Sequence, residues 1–475
     1  MKLAIEKWEG KDGFERYLSF LQEAHRHYEL SVTHVLRKKY HNLLCMARPS
    51  FLRHLFELHP FESIYTRAAK YFSTEWLRRV FTFGSMYMGM SPFDAPGTYS
   101  LLQYTELAEG IWYPKGGFHK VSDLSVRKSV GTKLTTLEKV VDGLVNIGQR
   151  LGVIYRLSSP VSSIILSYDQ RSATGVQLEN GERLDADIVV CNADLIYTYN
   201  NLLPASSYAT SLSKRSTSCS SISFYWALNQ TVPELRVHNI FLANAYRESF
   251  DNIFKNHLIP KEPSFYVNVP SRVDSSAAPA GCDSVVVLVP VGHLVNSKST
   301  PNSSESPVKG DQDWPNIITL ARSQVIDTIR SRIGVDIEPL IVHEQVNDPL
   351  VWESKFNLDR GAILGLSHSF FNVLSFRPKT QHPSIKGLYF VGASTHPGTG
   401  VPICLAGAKI VANQVLTDQG MEVPWADGGV HIEGDGKGID AVESRLMFSI
   451  GFWNLLLIIG LVSVTLLYAS GSMLG

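Results

Sequence analysis

The chain has 475 residues, 44% of them hydrophobic, with 44 basic and 44 acidic side chains. That length exceeds one small core and calls for two or more folded units, and a net charge of zero removes any electrostatic basis for binding nucleic acid. Five scattered cysteines, Cys45, Cys191, Cys219, Cys282 and Cys404, form no CxxC or zinc spacing, which argues against a disulfide framework and fits a reducing compartment.

Residues 1–90 read as helical. In "GFERYLSFLQEAHRHYELSVTHVL" the residues Phe14, Tyr17, Leu18 and Leu21 fall at helical spacing with charges between them. "STEWLRRVFTFGSMY" opens on Ser73-Thr74-Glu75, a capping pattern, and the helical pattern breaks near Pro92. "GIWYPKGGFHKV" (110–121) reads as a strand and a turn. The stretch from Leu151 to Asp194 reads as a small meander with turns at Asp169-Gln170 and Glu179-Asn180-Gly181, then a buried strand, Ile188 to Cys191. "SCSSISFYWAL" and "DSVVVLVPVGHL" read as strands. "DWPNIITLARSQVIDTIRSRI" reads as a helix with Pro315 near its start. No secretory leader is read after Met1. Near the C-terminus, Phe448 to Tyr468 runs 21 residues without a charge. At about 1.5 Å rise per residue it spans the hydrocarbon core of a bilayer, and the alternative is a buried core helix. Arg445 before it favours a cytosolic main body.

The stretch "GLYFVGASTHPGTGVPICLAGAKI" (387–410) joins an apolar strand to an Ala-rich helix through a Gly-rich loop. Unpaired amides at a helix N-terminus make a site for anions and cofactors, and Gly398 and Gly400 allow close approach. An ordinary strand–loop–helix connection is the plainer alternative. "HEQVN" (343–347) lacks the second His of a zinc helix, and "GLSHS" (365–369) is not a nucleophile elbow.

This stretch resembles the C-terminal flavin motif of the phytoene desaturases of bacterial and fungal type. "GIWYPKGG", "NADLIYTYNNLLP", "SFYVNVPSRVDSSAAPAG", "VVVLVPVGHL" and "NLDRGAILGLSHSFFNVLSFRP" are also similar to segments of the fungal members, so the resemblance covers the chain to about residue 417. It implies a mixed α/β, two-domain flavoprotein of amine-oxidase type that binds FAD, with NAD the lesser candidate. It also implies stepwise dehydrogenation of phytoene towards lycopene or further, a C40 substrate drawn from lipid, and quinone or oxygen as electron acceptor. By resemblance, Gly392 and Ala393 sit at the ribityl–pyrophosphate end of FAD, and Thr399, Gly400, Val401 and Pro402 approach the isoalloxazine. Val161, Asn192 and Ala193 line the adenine, and His396 is the side chain expected near the flavin.

The chain departs from the family in two places. No strand with a GxGxxG loop is present, so the N-terminal βαβ unit is expected to be missing and the chain to be truncated; Gly434 to Gly438 is a glycine cluster without a preceding strand. "SDLSVRKSVGTKLTTLEKV" (122–140) interrupts the family pattern, as an unspliced intron or a surface insertion. The expected organisation is a helical unit at 1–109 and a first cofactor segment at 110–200. A substrate domain follows at 201–386 with a polar loop at 295–313. Then come a second cofactor segment at 387–420, a tether at 421–444 and a transmembrane helix at 445–468, anchored in the endoplasmic reticulum. Two other readings are a related amine or retinoid oxidoreductase and a non-catalytic, tail-anchored carotenoid-binding scaffold.

Overall fold

The computed structural model describes residues 1–40, 42–113, 140–295 and 312–425. Helix Gly13–Ser31 buries Tyr17, Phe20, Ala24 and His27, steps of three and four that set one stripe against Phe72, Leu77 and Phe81. The sequence pattern places Leu18 on that stripe, yet Leu18 is 50% exposed. Phe20 takes the centre instead, because its ring packs edge-on to Phe72 and close to Phe81.

Helix Glu75–Thr82 begins after Ser73-Thr74 as its sequence suggests, but neither hydroxyl caps it. Both hydroxyls and both amides of Ser73 and Thr74 donate to the carboxylate of Glu9. A charged acceptor outcompetes the neutral helix end.

The meander is present as three antiparallel strands, β1 (Val161–Leu166), β2 (Ala173–Leu178) and β3 (Arg183–Asp185). Gln170 and Gly181, both at positive φ, make the turns. β4 (Val189–Cys191) follows. β5 (Ser220–Leu228), β6 (His238–Phe241), β7 (Phe265–Asn268), β8 (Asp283–Val291) and β9 (Ile341–Asn347) form an antiparallel sheet in the order β6-β7-β8-β5-β9. Alternate residues of β5 (Ile222, Phe224, Trp226) and β8 (Val285, Val287, Val289) point to one buried face. Helix Trp314–Ile333 covers it with Ile317, Ala321, Val325 and Ile329.

β10 (Leu388–Phe390) pairs in parallel with β4, Leu388 beside Val189 and Phe390 beside Cys191. Leu195, Ile196, Tyr199 and Leu366 pack with this pair. Helix Val401–Asp418 leaves the loop after β10. Among the described residues β4 has no second neighbour, and Val190 is 48% exposed. Nearby in sequence, 151–157 is apolar but forms no strand, and Ile154 is 86% exposed.

Gly110 to Tyr113 forms no strand either, and Trp112 is 88% exposed; the aromatic pattern there has nothing to pair with among the described residues. The turn at 114–121, the insertion at 122–139, most of the polar loop and the apolar run 448–468 lie outside the described residues. No helix among the described residues is long and apolar enough to cross a membrane.

Burial opposes ionisation of Glu9, but the donors of Thr74 and Ser73 win and hold its pKa down at about 2, against the usual 4.5. A carboxyl depressed in the folded state adds stability above its unfolded pKa and loses it as pH falls towards the folded value. Glu9→Gln is therefore expected to cost about 1–2 kcal/mol at pH 7. The gap to the parent chain should shrink as pH falls from about 4.5 towards 2; urea unfolding at pH 7 and pH 3 checks it.

Candidate functional site

The C-terminal ends of β4 and β10 open side by side, the place where parallel strands present ligands. Asn192 and Ala193 follow β4, and Gly392 and Ala393 follow β10. Asn192 Nδ2 donates to the Val391 carbonyl at 2.9 Å and ties the two ends together. Gly392 is at φ 131°, and a Cβ there would lie 3.0 Å from Asn192 Nδ2. Asn192 and Gly392, two of the residues named from the sequence, therefore lie side by side at these strand ends. Val161 opens β1 on the small sheet, opposite Leu178.

The chain then runs through Ser394 to Gly400 into helix Val401–Asp418. Gly400, at φ 106°, is its N-cap, with no side-chain cap, and Pro402 lies in the first turn. Free amides of the first turn therefore remain for a ligand. Gly398 is at φ 138°, and a Cβ there would stand 2.5 Å from the ring of His368. Only glycine meets both conditions without strain.

Arg377 holds this loop. Its Nε donates to the Thr395 carbonyl, one terminal nitrogen to Ser367 and Asn372, and the other to Leu366 and Ala393. A guanidinium has five N–H donors, and all five are spent on main-chain carbonyls. Arg377 is fully buried, and no carboxylate pairs with it among the described residues. Burial, helped by the nearby Arg215 charge, pulls its pKa down to about 10, so it stays cationic at neutral pH.

An apolar cavity of about 560 Å³ lies against the loop. Pro397, Gly398, Thr399, Gly400, Pro402 and Ile403 form one wall, and the helical unit supplies much of the rest, including Val32, Leu36, Phe51 and Leu55. Among the described residues no Asp, Glu, Lys or Arg lines it. Of the two buried histidines of this region, His368 faces this cavity. His396 lines a separate, more polar cleft of about 390 Å³ with Lys39, Tyr40 and Lys379. Its Nε2 donates to the Lys38 carbonyl at 2.9 Å, and its ring packs 5.1 Å from Tyr40. Burial depresses its pKa to about 4, so it is neutral.

Sequence reasoning missed Arg377 and His368. Both sit inside the matched segment "NLDRGAILGLSHSFFNVLSFRP". The signal for Arg377 was an arginine among apolar residues just before a proline, without an acid nearby in sequence. Arg377→Met leaves five buried carbonyls without donors, each costing about 1–3 kcal/mol, whereas Arg377→Lys can serve at most three. Unfolding free energy should fall by at least about 3 kcal/mol in the Met variant and by less in the Lys variant. Hydrogen exchange should speed up first at 393–399, before β5 and β8.

The family described as flavin containing amine oxidoreductase matches residues 8–204. A phytoene desaturase of Fusarium fujikuroi is 62% identical, over 90% of this chain and 73% of its own length. One of Cercospora nicotianae is 55% identical, over 94% of this chain and 78% of its own length. A zeta-carotene-forming phytoene desaturase of Myxococcus xanthus is 34% identical, over 85% of this chain and 72% of its own length. The mixed α/β fold is of the amine-oxidase flavoprotein type, the cofactor is FAD, and the chain belongs to the phytoene desaturases.

Proposed function

We propose that this chain is an oxidoreductase that introduces double bonds into a C40 carotenoid precursor, with the hydrocarbon in the apolar cavity and FAD at the loop 392–402. The observation that carries this is the cavity's lining. Among the described residues it has no Asp, Glu, Lys or Arg, and one wall is the glycine-rich loop that ends in the uncapped helix Val401–Asp418. A lining of this kind suits a ligand with no polar atoms and excludes water from the reacting carbons.

FAD, when bound, supplies the two-electron oxidation of a CH–CH unit while a proton leaves the neighbouring carbon. The residues present fit its ring end. Gly400 leaves space for close approach, with only Ile403 near the place of its missing Cβ, and the first-turn amides offer donors, Pro402 excepted. Asn192, Ala193, Gly392 and Ala393 would serve the ribityl–pyrophosphate and adenine parts from the strand ends, with Val161 beyond them. His396 keeps its Nε2 on a main-chain carbonyl and orders the loop rather than meeting substrate.

The membrane enters this reading through the apolar run Phe448 to Tyr468. We take it as a C-terminal anchor in the endoplasmic reticulum that keeps the cavity near lipid, where an insoluble polyene resides. Quinone or oxygen serves as the electron acceptor.

Bacteria that accumulate phytoene should form coloured carotenoid when they express this chain, read by chromatography of extracted pigment; colourless cells with soluble, FAD-bound chain would favour the carotenoid-binding scaffold. Gly398→Ala should lower pigment by at least about tenfold through strain and the clash with His368. The purified chain should take up FAD on titration, read by flavin fluorescence; a chain that binds no flavin would refute the FAD site at this loop.

A further inference from the structure

Large apolar side chains stand exposed on the turns that wall the apolar cavity. Leu55, Pro60 and Phe370 line that cavity. The next residue along the chain is exposed in each case: Phe56 at 67%, Phe61 at 54% and Phe371 at 57%. The rings of Phe61 and Phe371 lie 4.7 and 5.3 Å from that of Phe370, so the three form one cluster from wall to surface. Ser375 Oγ donates to the Asn42 carbonyl at 2.7 Å. That bond holds the turn Leu43–Ala47 beside the same loop, with Leu43 and Leu44 also exposed. Single exposed apolar residues need no explanation, but a group of large ones over a cavity wall marks a binding surface.

The charge around this surface has one sign. From Leu30 to Phe56 the chain carries Arg37, Lys38, Lys39, Arg48 and Arg53 and no Asp or Glu. Arg37, Lys39 and Arg53 are exposed. The acids that border the stretch are already paired, Glu29 and Glu57 with Arg26, and Glu62 with Arg67 and Lys70. The polar cleft adjoins the stretch through Lys39 and Tyr40. Lys379 and Lys386 line it too, with no Asp or Glu among the described residues. A chain of zero net charge thus sets a local cationic field beside its exposed Phe and Leu side chains. That pairing matches a lipid surface, where apolar groups enter the acyl boundary and cations meet anionic headgroups. A second copy laid on the same patch would set like charges against each other.

We propose that the surface formed by 43–61 and 370–376 docks on a bilayer leaflet with anionic headgroups, with Leu43, Leu44, Phe56, Phe61 and Phe371 in the acyl boundary and the flanking Arg and Lys side chains at the phosphates. This contact is additional to the C-terminal run. For its purpose it rests on the reading of the cavity as the hydrocarbon site, because the wall of that cavity then lies against the phase that dissolves the substrate.

The test uses the full chain and vesicles of phosphatidylcholine, with and without phosphatidylserine, doped with a lipid that carries a photoreactive group on its acyl chain. Labelled peptides are mapped by mass spectrometry. Peptides covering 43–61 and 370–376 should be labelled, at least about fivefold more in the anionic vesicles. In the double variant Phe56→Ser, Phe61→Ser the label at 370–376, whose own sequence is unchanged, should fall at least about tenfold. In Arg37→Glu, Lys39→Glu the two vesicle types should label that peptide equally. All four side chains are exposed, so unfolding midpoints should match the parent's. Label confined to 448–468, or label on helix Trp314–Ile333 as strong as on 43–61, overturns the inference. So do cross-links between copies through these residues without lipid label. Pigment in phytoene-accumulating bacteria without label at these stretches removes the surface and leaves the activity standing; label without pigment supports the surface and removes the activity.

Discussion

One buried cation organises the site. Arg377 sits in the interior with no carboxylate partner among the described residues, and main-chain dipoles stand in for a counter-ion. Removing a charge from water is costly unless its donors are all satisfied, and here five carbonyls from two segments satisfy them. The same five bonds bring 366–372 and 393–395 together, so the loop that follows, from His396 to Gly400, leaves a fixed base. The left-handed glycines then need to supply only shape. A lysine offers too few donors to join the two segments this way, which is why the identity of this residue matters more than its charge.

The histidines show how one cation divides the surroundings. His368 and His396 are both buried, and both have pKa values depressed by burial and by Arg377. Each is therefore neutral, with one nitrogen protonated and the other carrying a lone pair. Main-chain partners decide which: an amide from Thr399 for one, a carbonyl from Lys38 for the other. Two residues alike in composition consequently face two cavities with opposite polarity.

Much of the fold was legible because it is periodic. The two-residue alternation of β5 and β8 and the 3.6-residue stripe of Trp314–Ile333 follow directly from side-chain direction. The meander was marked by its turn residues. The strand–loop–helix at 387–410 was marked by an apolar run, glycines and a proline in order, and Asn192 and Gly392 were found because the resemblance named both strand ends. What could not be read depends on contacts distant in sequence. Leu18 loses its place to Phe20 because aromatic rings from another helix choose the stripe. The hydroxyls of Ser73 and Thr74 turn to Glu9, 64 and 65 positions away. His396 was chosen for lying inside the loop motif, but its ring turns out of it. His368 lies far from the loop in sequence, and only the fold brings its ring against Gly398.

The free side of β4 bears on how this chain behaves in the tube. A short parallel strand with no second neighbour among the described residues, with Val190 half-exposed within it and an exposed apolar stretch at 151–157 nearby in sequence, is a template on which an extended peptide can add a rung. Concentrated preparations would then gather by edge-to-edge accretion and drift towards turbidity, while dilute or detergent-containing ones stay clear.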